Sequence, residues 1–84
     1  MKKIHMIHYH EIKENGKWVL DTNEKTDVSF IDFETYWEIT SPQTVKFFKS
    51  IGGKERLTHK NGKVIKLVST SPDKMKRAIY IFQH

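Results

Sequence analysis

The chain contains no cysteine. That excludes a disulfide scaffold, a thiolate metal site and a thiol nucleophile. Proline appears twice and glycine four times, too sparingly for a linker or low-complexity tract. Arginine is scarce, with lysine outnumbering it 13 to 2. Specific reading of base edges leans on the arginine fork, so that mode is poorly supplied. Leucine is scarce too, three against nine isoleucines. Lysine and isoleucine codons are AT-rich, which points to an AT-rich genome. No apolar run approaches the roughly 18 residues a membrane helix needs. The opening Met1-Lys2-Lys3 leads to His5, Tyr9 and Glu11 rather than to an apolar stretch, so no secretory signal is expected. Gly-x-Ser-x-Gly, a phosphate-cradling glycine loop and a His-x-Thr/Ser repeat are all missing.

What remains is 84 residues, 37% hydrophobic and 12% aromatic. This length predicts one domain over residues 1–84, with a core large enough to fold but small in surplus stability. The expected setting is the bacterial cytoplasm, without membrane contact, and no cofactor is implied.

Two Asn-Gly pairs, Asn15-Gly16 and Asn61-Gly62, lie between β-prone runs and predict hairpins over about residues 3–22 and 54–70. Side-chain parity then chooses the loops, because a slip of one residue exchanges the two faces. A two-residue loop in the first hairpin sets Lys13 opposite Trp18 and Glu11 opposite Leu20. Ile7, Tyr9, Trp18 and Leu20 share one face; Met6, His8, His10, Val19 and Asp21 share the other. In the second hairpin a three-residue loop with Gly62 left-handed is expected. It groups Leu57, Ile65 and Leu67 against Arg56, Thr58, Lys60 and Lys66.

Residues 28–40 alternate: Ile31, Phe33, Thr35, Trp37 and Ile39 against Asp32, Glu34, Tyr36 and Glu38. This favours a half-buried strand over the competing helix, capped by Ser29 with Asp32 at its third position. Residues 42–51 read as a helix. Ser41 is suited to the N-cap, Pro42 to the first position and Gly52-Gly53 to the stop. Its stripe is Val45, Phe48 and Ile51 with Phe47 beside them, expected to pack on a sheet face holding Trp37. A strand over 74–83 follows the turn Ser71-Pro72-Asp73. Met75, Arg77, Ile79 and Ile81 take one face; Lys76, Ala78, Tyr80 and Phe82 take the other. The order β-β-β-α-β-β-β predicts an α+β domain, an antiparallel sheet of five to six strands with one helix packed on it.

Charge is split along the chain. Residues 1–42 carry −3 and residues 43–84 carry +8, together the net +5. Lys46, Lys49, Arg56, Lys60, Lys66 and Lys76, with Tyr80 and Phe82 interleaved, make the candidate binding set. Cations and aromatics on one sheet face suit phosphates and stacked bases, or an acidic protein surface. The plainer reading is a solubilising lysine face. A secondary acidic strip, Asp32, Glu34, Tyr36 and Glu38, could meet a partner or simply protect an edge. His8 and His10 share a strand face near Asp21, the beginning of a divalent-metal site. With no third and fourth ligand in sight, no metal is expected. A third option is a small ribonuclease of the RelE-like toxin kind using Arg56, His59, Arg77, Tyr80 and His84. Those toxins do not open with a β-hairpin, as this chain does.

The stretch Thr44-Val-Lys-Phe-Phe-Lys-Ser-Ile-Gly-Gly-Lys-Glu, followed by Val68-Ser-Thr-Ser-Pro-Asp-Lys, resembles small accessory proteins of bacteriophages and mobile elements from AT-rich Gram-positive bacteria. The resemblance implies action by binding. The expected function is therefore a non-enzymatic inhibitor or modulator of a host protein, alone or in a nucleoprotein complex. Anti-defence inhibition, for example of an RNA-guided nuclease, is its narrowest form. Direct DNA or RNA binding by the basic face is the alternative.

Overall fold

A computed structural model describes residues 3–84. Along the chain run β1 (Lys3–Glu14), β2 (Lys17–Leu20), β3 (Asp27–Asp32), α1 (Phe33–Thr40), α2 (Pro42–Ser50), β4 (Lys54–Lys60), β5 (Lys63–Thr70) and β6 (Lys76–Gln83). The sheet is antiparallel in the order β2-β1-β6-β5-β4. β3 joins it beside β2, because β1 is long enough to pair with β3 through Lys3–His8 and with β2 through Glu11–Glu14. The architecture is the expected α+β sheet with a helical layer on one face. That layer contains two short helices rather than one.

Both Asn-Gly pairs make two-residue turns. Asn15 and Gly16 have φ of 51° and 77°, and Asn61 and Gly62 of 53° and 75°. Such turns need both central residues left-handed. In the first hairpin Lys13 faces Trp18 and Glu11 faces Leu20, the expected register. The second hairpin departs from expectation: Lys60 faces Lys63 directly, so the loop is not three residues long. The extra residue sits in the strand instead. Thr58 pairs with Lys66 but His59 pairs with Val64, leaving Ile65 bulged out of β5. Beyond the bulge Leu57 meets Leu67 and Arg56 meets Val68. Leu57 and Leu67 stay together as expected, but Val64 rather than Ile65 enters the core with them.

Residues 28–40 divide. The first part continues the sheet as β3, while Phe33–Thr40 coil into α1. Asp32 is the cap, its carboxylate accepting the Thr35 N–H at 2.8 Å. That bond holds the Asp32 carboxyl below the usual carboxylate range. Ser29 stays in β3 opposite Met6. Helical spacing decides what is buried: Tyr36, Ile39 and Thr40 turn inward. The alternating partners Phe33 and Trp37 stay exposed.

α2 begins as expected, with Pro42 in its first turn and the Ser41 hydroxyl accepting from the Thr44 N–H at 3.3 Å. It ends at Ser50 with Ile51 as the cap; Gly52, with φ 86°, then turns the chain so that the Gly53 N–H reaches the Phe48 carbonyl at 2.8 Å. Its stripe is narrower than expected. Val45 and Phe48 are half-buried, but Phe47 and Ile51 are exposed. Trp37 lies on α1, 63% exposed, and not on a sheet face beneath α2.

The core gathers Ile4, Tyr36, Val64, Leu67 and Phe82, with Met6, Ile31, Ile39, Leu57 and Tyr80 packed on it. Tyr36 ties the layers together. Its hydroxyl donates to the Val64 carbonyl at 2.9 Å and accepts the Val64 N–H at 2.9 Å. Its ring meets Phe82 edge-on at 5.1 Å. A Tyr36→Phe variant keeps the ring and leaves the buried Val64 N–H orphaned. Urea unfolding should show a loss of about 1–3 kcal/mol. Unchanged stability would show that the hydroxyl is dispensable.

Candidate functional site

Both helices lie on one face of the sheet, the one carrying Leu67, Tyr80 and Phe82; among the described residues no helix or further strand lies on the other. The pairing register writes that open face as rows across the strands. One row runs Val28, Ile7, Ile81, Lys66, Thr58. The next runs Tyr9, Ile79, Val68, Arg56. Phe30, His5 and Gln83 flank the first row; Leu20, Glu11, Arg77, Thr70 and Lys54 flank the second. The centre is aliphatic and tight: Ile79 is 1% exposed although no helix lies above it. Toward β3 and β2 the border is apolar and exposed, with Val28 at 62%, Phe30 at 66% and Leu20 at 53%. Toward β4 the border is basic, with Lys66, Arg56 and Lys54 all exposed.

Polar contacts fix the two ends of this face. Arg77 forms an ion pair with Glu11 at 2.7 Å and lies over the Trp18 ring, 4.3 Å from its centroid. Lys13 approaches the same ring at 5.4 Å. At the other end the His5 ring shares a 2.6 Å hydrogen bond with the Gln83 side chain and leans on Phe30.

The expected basic set is only partly brought together. Arg56 and Lys66 share the open face, and Lys60 sits at the β4–β5 turn opposite Lys63. Lys46 and Lys49 lie exposed on α2, and Lys76 faces Ile12 where β6 begins. Tyr80 and Phe82 are on the helix-covered face, contrary to expectation. Phe82 is 2% exposed beneath Tyr36, and Tyr80 stacks on His8 at 4.2 Å. The division of β6 into two faces holds; the face that the helices cover is the one carrying the aromatics.

The acidic strip does not form. Asp32 caps α1, Tyr36 is buried, and Glu34 and Glu38 are exposed on the helix. The ribonuclease set is dispersed as well. Arg56 and Arg77 belong to the open face, Tyr80 to the covered one, His59 to the exposed end of β4, and His84 to a contact with the Val64 carbonyl.

His8 and His10 lie on the covered face, ring centroids 4.7 Å apart. Asp21 is buried nearby, but its carboxylate accepts the Asn23 N–H at 3.0 Å within its own turn. Among the described residues no group of three His, Cys, Asp or Glu is close enough to hold a metal ion. Among the described residues three buried polar atoms on the covered face lack hydrogen-bond partners: His8 Nε2, His10 Nδ1 and Glu55 Oε2. A groove of about 340 Å³ opens there between Phe48 and the His10, Ser69 and Tyr80 side chains. Burial, with His10 adding to it, lowers the His8 pKa from its ordinary value against the opposing pull of Asp27. Burial raises the Glu55 carboxyl. Burial and then the Glu55 charge raise the Tyr80 phenol.

The open face leaves a signal in the sequence. Ile79 and Ile81 are apolar on one face of β6, Tyr80 and Phe82 on the other, and a single helical stripe covers only one face. Compared with protein-family models, with curated proteins and with solved structures, the chain matches none.

His8 has a readable consequence. Its folded pKa lies below the unfolded value, so the unfolded chain takes up the proton first. Stability is therefore undiminished above the ordinary imidazole range and falls as pH drops through it. Glu55 acts oppositely, losing its contribution as pH rises through its raised pKa. Denaturant midpoints between about pH 7.5 and 5.5 should fall toward acid in the wild type and fall less in His8→Gln. Parallel curves would show that His8 titrates no differently in the fold.

Proposed function

We propose that this protein is a non-enzymatic binding module that inhibits or modulates a host protein by laying its open sheet face upon it. One observation carries the reading. The uncovered face has a tight aliphatic centre, exposed Val28, Phe30 and Leu20 on one border, and Lys66, Arg56 and Lys54 on the other. An apolar surface of that kind, rimmed by charge, is what protein interfaces use. It calls for a partner with an apolar patch and carboxylates along one side. Burial of the exposed Val28, Phe30 and Leu20 would supply affinity, and the basic rim would supply orientation and encounter rate. In a phage or mobile-element setting that partner would be a host protein, and a defence nuclease guided by RNA is the narrowest form.

The features of the open face favour this over direct nucleic-acid binding. A base-stacking platform needs bare aromatic faces among the cations. Here Tyr80 and Phe82 lie under the helices, Trp18 already carries Arg77 on its ring, and the exposed Phe30 stands on the border opposite Arg56 and Lys66.

Val28→Ser with Phe30→Ser tests the reading. Both side chains are largely exposed, so the melting temperature should hold nearly constant. Immobilised wild type should retain a specific protein from nuclease-treated bacterial lysate, and the double variant should not. Calorimetry on the purified pair should repeat the difference. Steeply salt-dependent DNA or RNA binding, lost in Arg56→Glu with Lys66→Glu and kept in the serine pair, would overturn it.

A further inference from the structure

The sheet ends at β4, and among the described residues no strand pairs with its outer edge. Lysines on an edge strand ordinarily discourage further pairing. This edge differs in having an apolar groove beside it. The groove, of about 330 Å³, runs between the helices and β4, lined by Trp37, Pro42, Val45, Leu57 and His59. Leu57 and His59 are the β4 residues turned toward the helical layer, since they face Leu67 and Val64 of the core. Lys54, Arg56, Thr58 and Lys60 alternate with them toward the open face. Lys49 and Lys54 border one end of the strand, and Lys60 and Lys63 the other. Its one carboxylate, Glu55, is turned inward opposite Ser69.

We infer that the β4 edge receives an extended acidic segment of a partner protein as a seventh strand, apolar side chains in the Trp37–Leu57 groove and carboxylates toward Arg56 and Lys60. Main-chain hydrogen bonds from an edge give affinity, and pockets for alternate side chains give specificity. The spacing follows from the geometry. A strand added to β4 must alternate its side chains between the groove and the basic side. The accepted sequence is therefore apolar and acidic by turns, and the edge lysines reject a basic strand of the same pattern. This site is separate from the open sheet face and does not rest on the function proposed for that face.

The probe is a capped, fluorescein-labelled peptide of about ten residues alternating valine and glutamate, with a valine–lysine peptide as control. Anisotropy should show binding of the acidic peptide alone, weakening as salt rises. Hydrogen exchange on the full chain should slow at Leu57–Lys60 when the peptide is present. Trp37→Ala, and separately Lys60→Glu with Lys63→Glu, should each weaken binding by about tenfold or more, with circular dichroism confirming that both variants fold. Val28→Ser with Phe30→Ser should leave it unchanged. No binding at millimolar peptide, equal binding of the lysine control, or binding that survives Trp37→Ala and vanishes with the serine pair would each overturn the inference.

Discussion

One phenol group holds the two layers in register. The Tyr36 hydroxyl sits against both backbone polar groups of Val64, at the point where β5 is interrupted by its bulge. A bulge leaves strand groups without ladder partners, and in a buried position each would otherwise be costly. Tyr36 satisfies them and in doing so fixes α1 to the sheet. The constraint propagates. α1 ends at Ser41, whose hydroxyl caps α2 and also donates to the Glu38 carbonyl at 3.3 Å. Thr44 bonds the same carbonyl, so the two helices turn about one corner. α2 then delivers Gly53 into β4, where an added Cβ would sit 3.2 Å from both the Phe48 and Thr70 carbonyl oxygens. The helical layer is thus threaded between two fixed points on β4 and β5.

Much of this was legible because local chemistry and side-chain period agreed. The first Asn-Gly turn, the Ser41-Pro42 start and the glycine stop each have one good solution, and each is adopted. The second hairpin shows where such reading ends. Parity demanded one extra residue, and it exists, but parity alone cannot say whether it lies in the turn or the strand. Residues 28–40 were ambiguous for a related reason. Alternation and helical spacing both find apolar partners there, and the deciding group was Asp32, whose carboxylate favours a helix start over another strand residue.

The binding surface was less legible. Side-chain parity sorts residues into two faces without saying which one the helices cover. Tyr80 and Phe82 share parity with Lys76, which made them look like an outward aromatic-basic surface. Tyr36 claims Phe82 for the core, and the basic residues of the second half separate between the open face, the hairpin tip and the outside of α2. A net charge of +8 over half a chain therefore describes several places. Arg56 and Lys66 lie across the open face from the exposed Val28 and Phe30, while Lys63 lines the groove beside Trp37.

The placement of β6 has a temporal consequence. It lies at the centre of the sheet between β1 and β5, although it is the last strand of the described chain. Hairpins β1–β2 and β4–β5 are local and can close as soon as they are made. The strand that joins the two halves arrives only after the five others have been synthesised. Until then the apolar residues of β1 have no neighbour on that side, and the pairing that completes the sheet spans almost the whole chain. Long-range pairing of this kind slows folding and leaves strand edges exposed in the meantime. A nascent chain stopped before residue 76 would hold the β3–β1–β2 unit and the β4–β5 hairpin with no strand pairing between them, and release of residues 76–83 would join them into one sheet.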